Sequence, residues 1–483
     1  MNNLVIPYRA NMGVQTSSPF SNTYSLEFDG VNDYLGLGSS TSLGFSNDFT
    51  LSAWIKTSAI GTNQMIIDSS TASNGSGYAM YLRSTGVIRF WSYLATNDIN
   101  STTTLLPNTW YHICATHDRI GLENKLYING VLDVSGASGS FNPTPMTNLR
   151  IGASALFGFP FNGNIDEPCF FNRKLIQSEI TTLATAPTVD LTNLNPIAWY
   201  RMGDNGAYKD PQWLIPNNEN KDKVSNYSFE FDGIDDYINI GNGVNFEYTD
   251  SFSYSFWVKP NAVTGAKVLY TKYNSLVGGR GIYFYINSSG GANPNTLYFF
   301  LLNTNSGSTA TRKRITTNTG AIISPSVWTN IVITYDGSGL GSGINVYKNG
   351  VSQTVTITQD NLQNNTILNS SDSYLGAFNG TSSFLAGNQD EFAIYSTELS
   401  SADALAIYNG GEPTTISGAV AHYKMGEEAT FSTNWTIPDN VGTNTGTSAN
   451  MTIEDRVGEA PNSTDNALSY NMESVDRTTD VPT

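Results

Sequence analysis

Short runs in which apolar and polar residues alternate recur along the chain and predict β-strands. Such runs cover residues 24–28, 50–55, 77–82 and 125–129, each bounded by Gly, Asn, Ser or Thr. Helical spacing of apolar residues is confined to two short segments, residues 176–184 and 400–408. The pattern therefore predicts an all-β protein with little helix.

The chain contains an internal duplication. The phrase Phe-Asp-Gly-x-x-Asp-Tyr, which begins at Phe28, begins again at Phe231, 203 residues later. Further matches are Trp54 with Trp257 at the same spacing and Trp110 with Trp328 at a spacing of 218. The second copy therefore carries an insertion between its two tryptophans, and the repeat predicts two domains of one kind.

Turn residues indicate how the strands are joined. Asn129-Gly130 and Asn349-Gly350 each lie between two strand-like runs and predict tight hairpins, because Asn and Gly tolerate positive φ. Short strands with such turns favour two packed antiparallel sheets in each copy, a β-sandwich or jelly roll. The predicted division is an N-terminal arm (1–22), jelly roll one (23–186), a linker or appendix (187–225), jelly roll two (226–411) and a C-terminal appendix and tail (412–483).

The order of these phrases resembles that of the laminin-G-like, concanavalin A-like jelly-roll family. Both copies begin with Phe-Asp-Gly-x-x-Asp-Tyr, continue through a Trp-containing strand and a Tyr-x-Asn-Gly hairpin, and end at Asp166-Glu167 or Asp390-Glu391. The resemblance implies two tandem jelly rolls whose first and last strands are neighbours. The tail and the Tyr-Arg-Met-Gly-Asp appendix resemble those of structural proteins of tailed bacteriophages.

Four aspartates are the candidate site residues. If the first and last strands are neighbours, as the resemblance implies, Asp29 converges with Asp166 and Asp232 converges with Asp390. Carboxylates with the carbonyls of an Asp-Gly turn suit a structural calcium ion, which members of the family hold near this position. The alternative is that each aspartate simply caps a turn by accepting backbone N–H groups. Both interpretations stay open at this point.

Aromatic residues suggest where a sugar would bind. Trp54, Trp110, Trp257 and Trp328 recur in the repeat, so they are expected to fill the cores. Sugar contacts are instead expected in loops that the copies do not share, within residues 78–91 and 273–285. In those segments aromatic faces would stack on pyranose rings.

Composition excludes several functions. The net charge of −17 opposes nucleic-acid binding, and the basic run Arg312-Lys313-Arg314 is interpreted as a solvated strand end or loop. Cys114 and Cys169 have no Cys or His nearby to complete a metal site and are expected to be buried. We expect neither a secretory signal nor membrane insertion.

Catalytic patterns are missing from the sequence as well. The Glu-x-Asp-x-x-Glu strand of jelly-roll glucanases does not occur, and the three histidines complete no triad. We therefore expect no enzyme activity.

The function expected from the sequence is that of a non-enzymatic virion component of a bacteriophage, such as a capsid decoration, fibre or tail-associated subunit. Its partners would be other capsid or tail proteins in an oligomer or assembly, with adhesion to host or environmental glycans. Residues 1–22 or the tail from about residue 440 would bind neighbouring virion subunits, and the tail would be disordered alone or ordered on a partner. Removing about the last 40 residues would leave folded jelly rolls that no longer incorporate into particles. The alternatives are a secreted or cell-surface bacterial carbohydrate-binding adhesin and, third, a carbohydrate-active enzyme.

Overall fold

The computed structural model describes residues 22–38, 42–69, 77–92, 98–138, 149–185, 190–209, 212–218, 225–261, 265–275, 279–287, 296–304, 313–321, 323–362, 364–463 and 465–482. The expectations for the arm at residues 1–21 and for Arg312 lie outside these ranges.

The first copy and the segment that follows it contain fifteen strands and one α-helix among the described residues. The strands are β1 (Ser25–Asp29), β2 (Tyr34–Gly36), β3 (Phe49–Thr57), β4 (Gln64–Asp68), β5 (Tyr78–Leu82), β6 (Val87–Ser92), β7 (Ile99–Thr104), β8 (Tyr111–Asp118), β9 (Glu123–Ile128), β10 (Val131–Ala137), β11 (Arg150–Ile151), β12 (Asn162–Phe171), β13 (Ala198–Trp199), β14 (Ala207–Lys209) and β15 (Gln212–Ile215). Helix α1 is Gln177–Thr185.

The second copy and its tail contain twenty strands and a second α-helix within the described ranges. The strands are β16 (Ser228–Asp232), β17 (Tyr237–Asn239), β18 (Phe252–Pro260), β19 (Ala266–Asn274), β20 (Arg280–Asn287), β21 (Thr296–Thr304), β22 (Lys313–Ala321), β23 (Thr329–Tyr335), β24 (Ile344–Lys348), β25 (Val351–Gln353), β26 (Val355–Asp360), β27 (Tyr374–Leu375), β28 (Ala386–Tyr395), β29 (Ala419–Tyr423), β30 (Thr430–Phe431), β31 (Trp435–Ile437), β32 (Gly446–Ala449), β33 (Arg456–Val457), β34 (Ala467–Tyr470) and β35 (Arg477–Thr478). Helix α2 is Ser401–Tyr408.

Each copy forms two antiparallel sheets, which we name front and back. In the first jelly roll the front sheet has the order β10-β9-β8-β3-β12-β1-β35, with β13 on β12, and the back sheet is β14-β15-β34-β2-β11-β4-β5-β6-β7. In the second, the front sheet is β25-β24-β23-β18-β28-β16-β33, with β29 on β28, and the back sheet is β26-β22-β21-β20-β19-β27-β17-β32-β31-β30. The predicted all-β fold of two tandem β-sandwiches is confirmed.

The core of each jelly roll lies between its two sheets. In β20, Ile282, Phe284 and Ile286 face inward and belong to the core cluster, as strand alternation requires. The first jelly roll buries an equivalent cluster that includes Leu26 and Phe28 of β1. Burial of these apolar surfaces is the main term that stabilises each sandwich.

Several local predictions are confirmed. Asn129 and Gly130 have φ of 50° and 77°, and Asn349 and Gly350 have φ of 49° and 74°, as tight hairpins require. Both helices lie within a residue of the predicted segments, and Ser400 caps α2 by accepting from the Asp403 N–H. Both cysteines are free and buried.

The C-terminal tail, expected to be a tether that is disordered alone or ordered on a partner, is instead ordered as part of both jelly rolls. Strands β32 and β33 join the two sheets of the second jelly roll, whereas β34 and β35 cross back to the first. Strand β34 lies between β2 and β15, inside the back sheet. The segment predicted to be a linker also supplies β13, β14 and β15 to the first jelly roll.

The tail is itself a repeat with a spacing of 21 residues, which explains its two destinations. Ser448-x-Asn-Met451 followed by Asp-Arg456 recurs as Ser469-x-Asn-Met472 followed by Asp-Arg477. Met451 is 3% exposed in the second core, and Met472 is 2% exposed in the first. Each tail unit therefore completes one jelly roll, and the later unit completes the earlier domain.

The crossing of the tail holds the two jelly rolls against each other. Arg456 is fully buried, stacks on Trp435 at 4.7 Å and donates from Nε to Gln212 Oε1 of the first jelly roll at 3.0 Å. Tyr34 and Tyr470 stack with ring centroids 4.8 Å apart, next to this junction. Neither helix in the described residues is long and apolar enough to cross a membrane.

Candidate functional site

The repeated Asp-Gly phrase forms the same turn in both copies. Asp29 Oδ1 accepts from the backbone N–H groups of Val31 and Asn32, at 2.7 Å and 3.2 Å. Asp33 Oδ2 accepts from the Asp29 N–H at 2.8 Å. Gly30 has φ of 76°, a conformation that favours glycine. The aspartates of this phrase therefore act as turn caps.

The second copy repeats this geometry and adds one carboxylate. Asp232 Oδ1 accepts from Ile234 N–H at 2.7 Å, and Asp236 Oδ2 accepts from Asp232 N–H at 2.8 Å. The carboxylate oxygens of Asp232, Asp235 and Asp236 lie within 4.8 Å of one another. Burial raises the pKa of Asp236 to about 7.

The predicted convergence of the first and last strands' aspartates does not occur. Strands β1 and β12 are indeed neighbours, but Asp29 lies opposite Asn162, so Asp166 is four residues further along. At roughly 3.3 Å per residue, that offset is about 13 Å. Asp232 lies opposite Ala386, which leaves the same offset to Asp390. A single ion bridging either pair is therefore excluded by strand register.

Asp166 and Asp390 lie instead in buried acidic clusters at a β-bulge. The register of β12 shifts after Asp166, Glu167 takes φ of 49°, and both carboxylate residues are buried. Asp166 Oδ2 accepts from Asn22 Nδ2 at 2.7 Å, and Asp390 Oδ2 accepts from Ser225 Oγ at 2.9 Å. Burial raises the pKa of both aspartates well above the usual range.

Different side chains contact these clusters in the two copies. In the first, Arg201 pairs with both Glu167 and Asp204, at 3.3 Å and 3.6 Å. In the second, His422 Nε2 lies 2.6 Å from Glu391 Oε2. Lys424, the equivalent of Arg201 in the repeat, donates to Glu428 instead. Three carboxylates, Asp390, Glu391 and Glu427, thus remain within 4.8 Å of one another.

Calcium fits the chemistry of these donors in the second copy better than in the first. Hard carboxylate oxygens are the ligands that calcium prefers. The equivalent of Asp235 in the first copy is Asn32, so the triad of the second turn is not repeated there. Calcium stays a prediction, now placed on two separate clusters of the second jelly roll.

Aromatic rings cover the outer face of the back sheet in the second jelly roll. Tyr283 lies opposite Phe300, with centroids 4.5 Å apart and ring planes within 8°, and Tyr285 lies opposite Tyr298 at 5.1 Å and 12°. Phe378 packs edge-on against Tyr283 at 5.3 Å. Tyr285, Tyr298 and Phe378 are half-buried. We call these five residues the second aromatic face.

The first jelly roll has an aromatic face of different composition at the corresponding place. Trp91 contacts Tyr81 and Phe157, with centroids 5.5 Å and 5.9 Å apart, and Phe157 stacks on Phe159 at 5.8 Å. The Arg89 guanidinium lies 4.9 Å from the Trp91 ring. Phe157 is 39% exposed. We call these residues the first aromatic face.

The predicted sugar-binding segments are thus strands rather than loops. Residues 78–91 form β5 and β6, and residues 273–285 include the end of β19 and most of β20. Tyr78 is fully buried in the core, whereas Tyr81 and Trp91 of the same segment face outward. Aromatic residues two apart in one strand, such as Tyr283 and Tyr285, share a face, and this spacing was the available signal.

The four repeated tryptophans divide into two pairs. Trp54 and Trp257 are 8% and 3% exposed, as expected for packed residues. Trp110 and Trp328 are half-buried and precede β8 and β23 rather than filling a core, so that expectation is wrong for them.

A family model agrees with the duplication. The model described as the concanavalin A-like lectin/glucanases superfamily, Laminin_G_3, matches residues 29–181 and 232–404, more than half of the chain. The chain belongs to this superfamily. A search of curated protein sequences finds no match.

Solved structures similar to this superfamily member have low sequence identity. A proposed carbohydrate-binding protein of Bacteroides ovatus is 18% identical with a TM-score of 0.34, over 42% of this chain and 58% of that protein. The CBM40 of a Ruminococcus gnavus sialidase, solved with α2,3-sialyllactose, is 14% identical with a TM-score of 0.29, over 34% and 98%. Domains LG4-5 of the mouse laminin α1 chain are 11% identical with a TM-score of 0.26, over 81% and 93%. The chain thus spans less than two thirds of the Bacteroides protein.

Proposed function

We propose that this protein is a non-enzymatic glycan-binding protein that uses the outer aromatic faces of its two sandwiches. The observation that carries the proposal is the second aromatic face, where two cross-strand ring pairs lie almost parallel. The lectin-containing superfamily supports the same function.

The second aromatic face suits a sugar ring for a physical reason. The C–H groups of a pyranose form an apolar face that stacks on the negative face of an aromatic ring. Tyr285 and Tyr298 add phenolic hydroxyl groups at the edge of the face, which hydrogen-bond to sugar hydroxyls. Rings fixed in strands lose little conformational freedom on binding.

The two faces differ, and this difference supports different glycan preferences. The first aromatic face carries Arg89, which also pairs with Asp98. In the second aromatic face, Tyr283, Tyr285, Tyr298 and Phe300 stack on one another. We infer that the copies share a fold and differ in ligand.

A glycan array followed by titration of the bound glycans tests this function. Tyr298→Ala removes one ring of the second aromatic face, and Trp91→Ala removes one ring of the first. Each variant is expected to weaken the affinity for the glycans that bind its own face by about tenfold, which equals about 1.4 kcal/mol. Tyr408→Ala is the matched control, because Tyr408 is a half-buried tyrosine stacked on Trp257 away from both faces. Binding that survives both face variants would refute this site.

Hydrolysis is the competing function within the superfamily. A retaining glycosidase needs two carboxyl groups about 5–5.5 Å apart on either side of the bond. The close pair Asp390 and Glu391 is 0% and 8% exposed and accepts hydrogen bonds from Ser225 and His422. This burial favours a structural role, and turnover of any array-positive glycan that Asp390→Asn abolishes would overturn it.

We propose the virion of a tailed bacteriophage as the setting, with capsid or tail proteins as partners in an assembly. A bacterial cell-surface adhesin is the alternative. The tail completes both sandwiches, so it no longer supports the proposed docking role. Mass spectrometry of purified phage particles tests this setting. If the protein is absent from particles but present in bacterial cell envelopes, the adhesin alternative is favoured.

A further inference from the structure

A cavity of about 570 Å³ lies at the junction of the two jelly rolls. Its lining includes Trp328 and Lys259 of the second jelly roll and Leu37 of the first. The tail segment that crosses between the domains, including Glu459 and Asp465, completes the wall. The volume falls within the roughly 300–1,000 Å³ typical of small-molecule sites.

The first jelly roll shows what normally meets the tryptophan at this position. Trp110 Nε1 donates to Asp480 Oδ1 at 3.0 Å, and Lys56 pairs with the same carboxylate. Ser25 Oγ donates to the Asp480 carbonyl at 2.6 Å and fixes the tail there. In this copy, the chain itself satisfies the indole N–H.

The second jelly roll repeats every part of this arrangement except that hydrogen bond. Glu459 takes the place of Asp480, since Ser228 Oγ donates to its carbonyl at 2.5 Å and Lys259 pairs with its carboxylate. Trp328 Nε1 is buried but meets no acceptor among the described residues. A buried N–H without an acceptor is unfavourable, so an acceptor supplied by a ligand stabilises this site.

The lining of the cavity defines the class of ligand. Glu230, Glu459 and Asp465 are acidic, and the lining lysine, Lys259, is already paired with Glu459. This charge opposes an anion. The lining amides of Asn261 and Asn388 offer polar contacts, and the Trp328 ring offers an apolar face.

We propose that the junction cavity binds a neutral saccharide and that Trp328 Nε1–H donates to one of its oxygens. The site exists only where both jelly rolls and the crossing tail meet. It is separate from both aromatic faces and shares with the proposed function only the class of ligand.

Indole N–H resonances of the full-length protein with ¹⁵N-labelled tryptophan report this binding directly. The probes are glucose, galactose, mannose and N-acetylglucosamine at millimolar concentration, with glucuronate as the anionic counterpart. Trp328→Phe and Trp110→Phe assign the two resonances. We expect a saturable shift of the Trp328 resonance with a neutral sugar, while the Trp110 resonance, whose N–H is bonded to Asp480, stays in place.

Affinity measurements complete the test. Trp328→Phe keeps a packed ring and should weaken the affinity for the neutral sugar by about tenfold or more, whereas Trp110→Phe should leave this affinity unchanged. No Trp328 shift with any neutral sugar, a shift with glucuronate alone, or equal losses in both variants would overturn the proposal. Tyr298→Ala should leave this shift intact, so failure here and failure of the aromatic-face function are distinguishable.

Discussion

The stability of the first jelly roll is predicted to depend on the last residues of the chain. Removing residues 465–483 deletes β34 from between β2 and β15 and deletes β35 from the edge of β1. Strands β2 and β15 would lose their backbone hydrogen-bond partners on one side. The expectation from the sequence, that jelly rolls lacking the tail stay folded, is therefore replaced by its opposite for this domain.

The burial of the tail side chains gives the size of this loss of stability. Leu468, Tyr470 and Met472 are 1%, 9% and 2% exposed. At about 1.5–3 kcal/mol for each buried side chain, their loss amounts to roughly 5–9 kcal/mol, before the lost hydrogen bonds are added. Domain stabilities are about 5–15 kcal/mol, so the truncated first jelly roll should be largely or wholly unfolded.

Amide hydrogen exchange followed by mass spectrometry locates the effect. Peptides covering Tyr34–Gly36 and Gln212–Ile215 should lose protection in the truncated protein. Peptides covering Tyr237–Asn239 should keep it, because their partner β32 precedes the deletion. Slow exchange of β2 and β15 in the truncated chain, equal to that of the full chain, would refute the reasoning.

Point substitutions give a matched pair for the same idea. Met472→Ala and Met451→Ala remove equivalent side chains from the two tail units, and each should cost about 2–5 kcal/mol. The first should destabilise the first jelly roll, and the second should destabilise the second. Equal effects of both variants on one domain would contradict the assignment of the tail units.

Three further predictions concern protons and calcium. Burial lowers the pKa of His112 to about 3, so folding stability should fall by up to about 1.4 kcal/mol per pH unit as pH drops below 6.5. The variant His112→Asn introduces the residue found at the equivalent position of the second copy, and it should remove this pH dependence in denaturant titrations. Burial lowers the pKa of Lys272 to about 8, so folding stability should rise by up to about 3 kcal/mol between pH 8 and 10.5. If stability depends on pH equally in the wild type and in Lys272→Met, this prediction is disproved. Calcium should raise the melting temperature of the second jelly roll, and Asp235→Asn, which supplies the first copy's residue, should reduce the increase; a midpoint unchanged by calcium or chelator would exclude an ion there.

The acidic clusters show that strand order alone does not predict which residues meet in a site. The resemblance to the jelly-roll family correctly implied that β1 and β12 are neighbours, and likewise β16 and β28. The strand register, however, separates Asp29 from Asp166 by four residues, and Asp166 lies in a buried acidic cluster next to a β-bulge. Register depends on side-chain fit across the whole sheet, which a phrase in the sequence does not contain.

What the sequence determined by itself is local or repeated. Alternation, the Asn129-Gly130 and Asn349-Gly350 hairpins and the duplicated phrases were sufficient for two β-sandwiches, because strand periodicity and turn chemistry act over a few residues.

Tertiary structure alone decided the rest. Strand β34 pairs with β2, which lies more than 400 residues earlier, and Tyr283, Phe300 and Phe378 meet on one face of the sheet. The indole N–H of Trp110 has an acceptor, whereas that of Trp328 has none among the described residues. These outcomes depend on pairing between distant segments, whose energy comes from burial that exists only once the sheets have formed.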